Sequence, residues 1–367
     1  MSQHADWDFG DLDGYIRMGE PDQAARAYNW QVAIGLQAVD GLSPSPYLLE
    51  TAREHVEGRI GIGEAQRRIR SYYDERADRE EVEGEREADV VSSRIAELLG
   101  ERAFTLSPVE LCDIHRRLFD QLLPRAGKYR NYNITKKEWV LNGETVYYAT
   151  CGTIADTLRY DFAQEREFSY ARLSDIDIAH HVARFISGIW QIHPFGEGNT
   201  CTTAVIAIKY LRTMGYHVDN EPFKSHSWYF RNALVRANYE DVTRHISSET
   251  VYLERFFENL LCGTRHELRN RHLHLDWDAW QATTQETVNA TQEPTQETDN
   301  TTQETPDNTR SRVIKLLKAN PRLTARQLAV VLGITFDGAR YHLAKLRKEG
   351  VIRHEGPRKG GSWVVQG

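Results

Sequence analysis

Residues 189–211 have the sequence IWQIHPFGEGNTCTTAVIAIKYL, and this stretch decides the fold. Its spacing predicts an apolar helix that ends near His193, a loop that contains Gly196 and Gly198, and a second apolar helix that begins around Thr202. Glycines at a helix start leave backbone N–H groups free to face an anion, and the helix dipole favours phosphate there. The stretch therefore predicts a phosphate-binding turn between two buried helices.

Two side chains of this loop are candidates for chemistry. His193 has the residue type that takes a proton from an attacking hydroxyl, and Glu197 has the residue type that holds a divalent cation against phosphates. The same spacing is compatible with a histidine that is satisfied in the core and a glutamate that is an ordinary loop carboxylate. Spacing alone therefore leaves both interpretations open.

Helical periodicity dominates the chain around this loop. Upstream, SPVELCDIHRRLFDQLL has a helix start at Ser107-Pro108 and apolar residues at helical spacing. The exception is ITKKEWVLNGETVYYA, Ile134 to Ala149, in which β-forming residues alternate around Asn142-Gly143 and predict a hairpin. The predicted fold is therefore mainly α, a helical bundle that carries one β-hairpin.

The composition is that of a globular protein with more than one domain. The chain has 367 residues, of which 40% are hydrophobic and 27% charged, and its net charge is -7. A domain has about 100–200 residues, so two or three domains are expected. The chain lacks the roughly 20-residue apolar run of a membrane helix, a signal peptide and cysteines at metal-ligand spacing, which favours a cytoplasmic protein without a membrane partner.

A low-complexity segment divides the chain. Residues 276–308 repeat a Thr-Gln-Glu unit with almost no apolar residues, so we expect a flexible linker. Beyond it, residues 309–367 contain 13 Lys and Arg against 3 Asp and Glu, whereas the rest of the chain is acidic. This asymmetry favours DNA as a partner of the tail alone, with a solvated basic face as the alternative.

The tail resembles a winged helix-turn-helix domain. It has a helix, then TARQLAVVLGIT and FDGARYHLAKLRKEG as two further helices, then two short strands around the loop PRKGG. In such domains one helix enters the major groove and the wing contacts the DNA backbone, although some winged helices bind proteins instead. The DNA contacts that the resemblance implies are Arg340, Tyr341 and Lys345 on the helix and Arg358 and Lys359 on the wing.

The central loop resembles the signature of the Fic (Fido) family, His-Pro-Phe-x-Asp/Glu-Gly-Asn-Gly-Arg-x-x-Arg. The preceding segment LCDIHRRLFDQLLPRAGKYRNYNI is similar to the family's early core helix and its Ala-Gly-Lys-x-Arg turn. The hairpin stands where the family has its target-binding flap, and the resemblance covers residues 107–261. The signature positions that match in order are His193, Pro194, Phe195, Glu197, Gly198 and Asn199.

The resemblance implies a protein adenylyltransferase, which moves AMP from ATP, with Mg²⁺, to a Ser, Thr or Tyr hydroxyl of a target protein. His193 would deprotonate the hydroxyl, and Glu197 would position Mg²⁺ on the phosphates. The flap would clamp the target as an added strand. The implied nucleotide-binding residues are Phe195, Gly196, Gly198, Asn199, Thr200, Thr202 and Thr203.

Both arginines of the signature are absent from this chain. Cys201 and Ala204 stand in their places, and Thr200 replaces the second glycine. Since a guanidinium binds phosphate more strongly than a hydroxyl does, we expect slow activity, another donor or an impaired site. Lys209 and Arg212 are candidate substitutes for the missing charge, with surface solvation as the simpler role of both.

The amino-terminal segment is similar to the small antitoxin proteins that partner some Fic enzymes. Asp40-Gly41 occupies the Glu-Gly position of their inhibitory helix, Leu36 occupies the Ser/Thr position, and residues 58–73 supply the later part. In that family the glutamate pairs with the last arginine of the signature, whereas both partners are altered here. The resemblance implies that Asp40 and Gly41 are inhibitory; alternatively, they only cap a helix.

Four segments are thus predicted: an antitoxin-like helical region at 1–80, a Fic core at 81–275, a linker at 276–308 and a small α+β winged helix at 309–367. The leading prediction is a self-inhibited AMP transferase with a DNA-binding tail. The alternative is a catalytically impaired, DNA-binding regulator or a toxin–antitoxin component. The target protein, the donor nucleotide, the DNA site and the oligomeric state are left open.

Overall fold

Helices form most of the protein, whose computed structural model describes residues 10–75, 83–218 and 221–277 and, in the tail, 313–318, 321, 323, 328, 342–343, 345–347, 351–355 and 362–365. The described residues divide into two units, one within Trp7–Leu275 and the other within Asp276–Gly367. Among the described helices, none is long and apolar enough to cross a membrane.

The first unit is a bundle of α-helices around one continuous core. Trp30, from the amino-terminal part, and Trp190, next to the signature loop, are both fully buried in it. Short 3-10 helices cover Gln37–Asp40, Trp139–Leu141 and Asn270–Leu273. The described α-helices of this unit are α1 (Gly10–Met18), α2 (Pro21–Leu36), α3 (Pro46–Val56), α4 (Ile62–Asp74), α5 (Glu83–Gly100), α6 (Pro108–Phe119), α7 (Ile154–Glu167), α8 (Asp175–Ile192), α9 (Asn199–Thr213), α10 (Glu221–Ala237) and α11 (Val251–Leu261).

Local sequence signals account for the helix ends that matter to the site. The hydroxyl of Ser107 accepts a hydrogen bond from the Glu110 N–H at 3.1 Å, which confirms the predicted start of α6. Helix α8 ends at Ile192, as expected. Helix α9 begins at Asn199, earlier than the predicted Thr202, because the preceding Gly198 has a left-handed φ of 72° and starts the helix directly after the loop.

Close packing of α2 against α10 positions the segment that carries Asp40. At Gly35 a side chain would meet the Lys224 backbone at 2.6 Å, so only glycine permits this approach. The Ser227 hydroxyl donates to the Gly35 carbonyl at 2.6 Å, which ties the end of α2 to α10. The following 3-10 helix, Gln37–Asp40, ends at Gly41, whose φ is 71°.

The flap (residues 134–149) has the predicted turn but not the predicted strand pairing. Asn142 and Gly143 have φ values of 58° and 88°, and the Glu138 N–H donates to the Glu144 carbonyl at 2.8 Å. On either side of this turn the flap forms no regular strand ladder. The alternation fails because Trp139–Leu141 coil into a 3-10 turn that buries two successive residues, Val140 and Leu141.

The described part of the second unit has a small core and two antiparallel strands. Strands β1 (Ile352–Glu355) and β2 (Ser362–Val365) pair with Ile352 opposite Val365, as the predicted wing requires. Lys345 is exposed, whereas Arg340, Tyr341, Arg358 and Lys359 lie outside the described residues. The buried core residues are Val313, Leu317, Leu328, Leu343, Leu346 and Ile352.

Candidate active site

His193 stands at the carboxyl end of α8, at the start of the signature loop. Its backbone is left-handed, with a φ of 50°, and its side chain is only 2% exposed. Nδ1 lies 3.2 Å from the Trp190 carbonyl and donates to it, so Nε2 carries the lone pair. Nε2 is buried and has no hydrogen-bond partner within the described structure. The first residue of the loop therefore has a buried basic nitrogen, Nε2, without a described partner.

The surroundings of His193 keep its imidazole neutral. Burial lowers the pKa of His193 well below its usual value, and the positive charges of Lys136, Arg130 and Arg231 act in the same direction. The Tyr148 ring of the flap lies 4.3 Å from the imidazole, between ring centroids. His193 is therefore available as a proton acceptor at neutral pH.

Arg130 holds the loop and the flap together. It is 2% exposed, and its Nε donates to the His193 carbonyl at 2.8 Å. Its terminal nitrogens donate to the carbonyls of Tyr132, at 2.7 Å, of Ile192, at 3.3 Å, and of Ala149. One buried guanidinium thus satisfies backbone acceptors on both sides of the site.

His115 of α6 fastens the other end of the loop. Its Nδ1 accepts from the Gly127 N–H at 2.8 Å, so its Nε2 donates to the Glu197 carbonyl at 3.0 Å. The ring stacks on Phe195 with 3.7 Å between centroids, which places Phe195 in the core. Burial lowers the pKa of His115 to about 4.

Two glycines allow the loop its path. At Gly198 a Cβ atom would lie 2.3 Å from the Phe119 ring, and at Gly196 it would lie 2.6 Å from the Tyr132 hydroxyl. Asn199 closes the turn, because its side chain accepts from the Phe195 N–H at 3.0 Å and donates to the Phe195 carbonyl at 2.9 Å. The loop shape therefore depends on glycine at positions 196 and 198 and on the side chain of Asn199.

The first turns of α9 are part of the core. The Thr200 hydroxyl accepts from the Trp190 indole at 3.0 Å, and the Thr202 hydroxyl donates to the Gly198 carbonyl at 2.8 Å. Thr203 is 2% exposed and Ala204 is fully buried. The threonine hydroxyls at 200 and 202 thus already have protein partners.

The Glu197 carboxylate is exposed, in contrast to its neighbours in the loop. It is close enough to Glu87 of α5 and to Asp40 to affect their titration. Burial raises the pKa of Glu87, and the charges of Asp40 and Glu197 raise it further. The amino-terminal region and α5 therefore border the same site as the signature loop.

Asp40 meets the helix position where the signature has its first arginine. The Cys201 thiol points to the Asp40 Oδ2 at 3.8 Å and to the Leu36 carbonyl at 3.8 Å. Although part of Asp40 is open to solvent, the surrounding protein raises the pKa of its carboxyl, and Arg231 and Lys136 oppose that rise. The structure thus brings Asp40 and the signature helix together.

Lys209 and Arg212 do not supply the missing charge to the loop. The Lys209 ammonium is buried and donates to the carbonyls of Leu98, at 2.8 Å, and Glu101, at 2.9 Å. Arg212 donates to the Leu99 carbonyl at 2.7 Å. Their expected role on a solvated surface is therefore wrong as well, because both side chains bind the end of α5.

Sequence reasoning missed four residues that shape the site. Arg130 was present only as the last letter of the Ala-Gly-Lys-x-Arg turn, and His115 only as a letter in a core helix. Lys136 and Arg231 had no signal, because each is far from the loop in sequence. Only packing brings their charges to His193.

Comparison with known proteins identifies two parts of the chain. Residues 105–211 match the family model of the Fic/DOC family. The chain carries a Fic/DOC domain. Residues 306–353 match the model described as winged helix-turn-helix DNA-binding, so the tail beyond the Fic/DOC domain contains that fold. No curated protein matches the chain.

Several solved structures share a weaker likeness with the chain. The N-terminal Fic domain of Bep8 from Bartonella sp. 1-1C is 18% identical, over 47% of this chain and 81% of that one, with a TM-score of 0.37. BepC from Bartonella tribocorum, solved with bound AMPPNP, is 18% identical over 45% and 81%, with a TM-score of 0.36. A Fic family protein from Desulfovibrio desulfuricans G20 is 12% identical over 98% and 94%, with a TM-score of 0.44.

Proposed function

We propose that the Fic/DOC domain transfers AMP from ATP to a hydroxyl group of a target protein. The observation that carries this proposal is the His193 imidazole, which is buried and neutral and has no partner at Nε2 among the described residues. A buried nitrogen without a partner costs about 1–3 kcal/mol, which a binding module has no reason to retain.

In the proposed reaction the target hydroxyl oxygen bonds to the α-phosphorus of ATP, and the bond from that phosphorus to pyrophosphate breaks. The hydroxyl proton passes to Nε2 of His193, while Nδ1 remains bound to the Trp190 carbonyl. This transfer depends on alignment and on charge neutralisation, and the loop, which buried partners hold in place, would supply the alignment.

The loop would hold phosphates through its backbone. Gly196, Gly198 and Asn199 lie at the start of α9, where N–H groups and the helix dipole favour an anion. Phe195 anchors the loop against His115. We expect the hydroxyls of Thr200 and Thr202 to contribute less than the backbone, because both residues are buried and already bind Trp190 and Gly198.

Glu197 fits a Mg²⁺ ion that arrives with the nucleotide. Mg²⁺ commonly takes one or two carboxylates, water and substrate phosphates, and the Glu197 carboxylate is exposed at the loop. Among the described residues no group of three or more His, Cys, Asp or Glu could hold a metal, so a site made by protein ligands alone is not expected there. When bound, Mg²⁺ would neutralise phosphate charge.

Mass spectrometry of the full chain after incubation with ATP and Mg²⁺ tests this proposal. We expect an AMP adduct on the protein itself or on lysate proteins with the wild type, and none with His193→Ala. His217→Ala is the matched control, because His217 is exposed on the surface, and it should retain the adduct. Absence of an adduct with ATP, GTP, CTP and UTP would refute nucleotidyl transfer.

Asp40 and Gly41 are the proposed brake on this activity. Gly41 ends the 3-10 helix and so sets the position of Asp40, whose carboxylate contacts Cys201 beside the loop. A negative charge there opposes the binding of phosphate. In the same assay Asp40→Gly should therefore give more adduct than the wild type. An unchanged yield of adduct would refute the inhibitory role of Asp40.

A second candidate function, a regulator without catalysis, is favoured by the first turns of α9. Cys201 and Ala204, at the positions of the signature arginines, are buried and carry no positive charge. Nucleotide binding without any adduct, including with Asp40→Gly, would support this alternative.

The winged helix-turn-helix domain is proposed to bind DNA. The segment is strongly basic, and Lys345 is exposed on its described surface. We expect Lys345→Gln to weaken DNA binding and to reduce the slope of log affinity against log salt by about 0.9. Lys137→Gln, which removes an exposed lysine of the first unit, should leave both unchanged. If the slope of log affinity against log salt is equal in the wild type, Lys345→Gln and Lys137→Gln, Lys345 does not contact DNA.

A further inference from the structure

Positive charge reaches His193 from two elements outside the signature. Lys136 lies on the flap and Arg231 lies on α10. After burial, which is the largest cause, these cations lower the pKa of His193, and both also oppose the raised pKa of Asp40. Contacts place Arg231 near the imidazole, because its partner Glu138 accepts from the Tyr148 hydroxyl and the Tyr148 ring lies 4.3 Å from His193. Lys136 lies two residues before Glu138 on the same flap.

The Lys136 ammonium has no partner among the residues that the structure describes. The side chain is half-buried, and only its backbone N–H has a hydrogen bond, to the Thr145 hydroxyl at 3.1 Å. Burial lowers the pKa of Lys136, as does the nearby Arg231 charge, whereas the charges of Asp40, Glu138 and Glu197 raise it. Lys209, by comparison, donates to two carbonyls. A half-buried ammonium without such acceptors keeps its N–H donors for a ligand.

Arg231 is held in place by a buried carboxylate. Glu138 is 1% exposed and accepts two hydrogen bonds from the Arg231 guanidinium, at 2.6 and 3.1 Å. The Tyr148 hydroxyl donates to the same carboxylate at 3.3 Å. Because Glu138 uses two of the five N–H donors of Arg231, it fixes the guanidinium without exhausting its capacity for an anion.

We propose that Lys136 and Arg231 bind the phosphate groups of the nucleotide donor, in place of the arginines that Cys201 and Ala204 replace. This inference rests on the proposed function and assigns the substrate-charge site within it. The unpartnered Nε2 of His193, in a side chain 2% exposed, independently points to a ligand in the same space. Phosphate oxygens are acceptors that an ammonium and a guanidinium bind strongly.

Calorimetric titration of the full chain with pyrophosphate, ATP and adenosine tests the proposal. Lys136→Gln should weaken the binding of pyrophosphate and ATP roughly tenfold and leave the affinity for adenosine unchanged. Lys136→Arg keeps the positive charge and should recover the affinity for pyrophosphate and ATP. Lys137→Gln, at the exposed neighbouring position, should bind as the wild type does.

Testing the contribution of Arg231 requires a variant that does not leave the buried Glu138 carboxylate without its cation. Arg231→Gln alone leaves a buried carboxylate without its cation, so the double variant Arg231→Gln/Glu138→Gln removes both charges together. Weaker pyrophosphate binding in the double variant, with an unfolding temperature near that of the wild type, is the expected result.

Three results would separate this inference from the proposed function. Equal pyrophosphate affinity in the wild type and Lys136→Gln, or no pyrophosphate binding by the wild type, would overturn the phosphate site. An AMP adduct that is undiminished in Lys136→Gln would also overturn it, while the proposed function would stand. Pyrophosphate binding through Lys136 without any adduct would instead refute the function and support the phosphate site.

Discussion

The signature loop and the first turns of α9 are adjacent in sequence but differ in what their side chains do. In the loop, buried partners hold the backbone, and they leave Nε2 of His193 and the Glu197 carboxylate available. In α9, the side chains themselves are buried, and the Thr200 hydroxyl is engaged by Trp190. The part of the motif that is proposed to align the reactants is retained, whereas Cys201 and Ala204, at the positions of the signature arginines, are buried in the core.

This difference shows that a functional loop depends on residues distant in sequence. The hydrogen bonds of Arg130 and His115 to the loop go to backbone carbonyls, those of His193 and Glu197, and the His115 ring also stacks on the Phe195 side chain. Phosphate charge, in contrast, requires side chains at specific positions. Such side chains are absent from the signature positions of α9, and the cations that act on His193 come from other elements, Lys136 of the flap and Arg231 of α10 among them.

The largest expected effect comes from breaking the support of the loop. Arg130→Met removes the donor to four backbone carbonyls, those of Ile192, His193, Tyr132 and Ala149. Each buried acceptor without a partner costs about 1–3 kcal/mol, so for four of them we expect a loss of at least about 4 kcal/mol in unfolding free energy, measured by urea denaturation.

The matched control for this change is Arg125→Ala. Arg125 is exposed and donates to the Tyr129 carbonyl at 3.0 Å, so its loss should change the unfolding free energy by less than about 0.5 kcal/mol. Similar losses in both variants would show that the loop does not depend on the buried guanidinium.

A pH profile tests the support at the other end of the loop. The pKa of His115 is about 4 in the folded protein against 6.5 for an unperturbed histidine. The neutral ring therefore stabilises the fold fully above pH 6.5, and that stabilisation is lost as the pH falls toward 4. The expected loss is of the order of 3 kcal/mol, since one pKa unit corresponds to about 1.4 kcal/mol.

His115→Phe isolates this effect from the other titrating groups. The variant retains the packing against Phe195 but loses two hydrogen bonds, so it should be less stable than the wild type at pH 7. As the pH falls to 4, the difference in unfolding free energy between the variant and the wild type should become smaller or change sign. A constant difference across this range would show that His115 does not titrate on unfolding.

The smallest effect is expected in α9. Thr200→Val removes the acceptor of the Trp190 indole and should cost about 1 kcal/mol of unfolding free energy. Because the hydroxyl is already engaged, the affinity for ATP should not change, and Thr200→Ser should restore stability. A weaker ATP affinity at unchanged stability would place Thr200 in the nucleotide site and remove the contrast with the loop.

The helices around the site were predictable because short-range rules govern them. Ser107 caps α6, and the apolar stretches that flank His193 form α8 and α9. The turn at Asn142-Gly143 followed from the left-handed backbone that these residues favour. The strands beside it did not form, because strand pairing depends on partners that the flap residues exchange for contacts with Arg231 and the core.

The sequence by itself determined the Fic/DOC signature, the order of helices, the wing strands and the basic tail, since each is written in contiguous residues. Tertiary structure alone decided that Arg130 and His115 hold the loop. It also decided that the Thr200 hydroxyl binds the Trp190 indole and that the charges of Lys136 and Arg231 act on His193. The physical reason is range. Helix periodicity and turn geometry act over a few residues, whereas burial and electrostatic interactions depend on distances that only the folded chain defines.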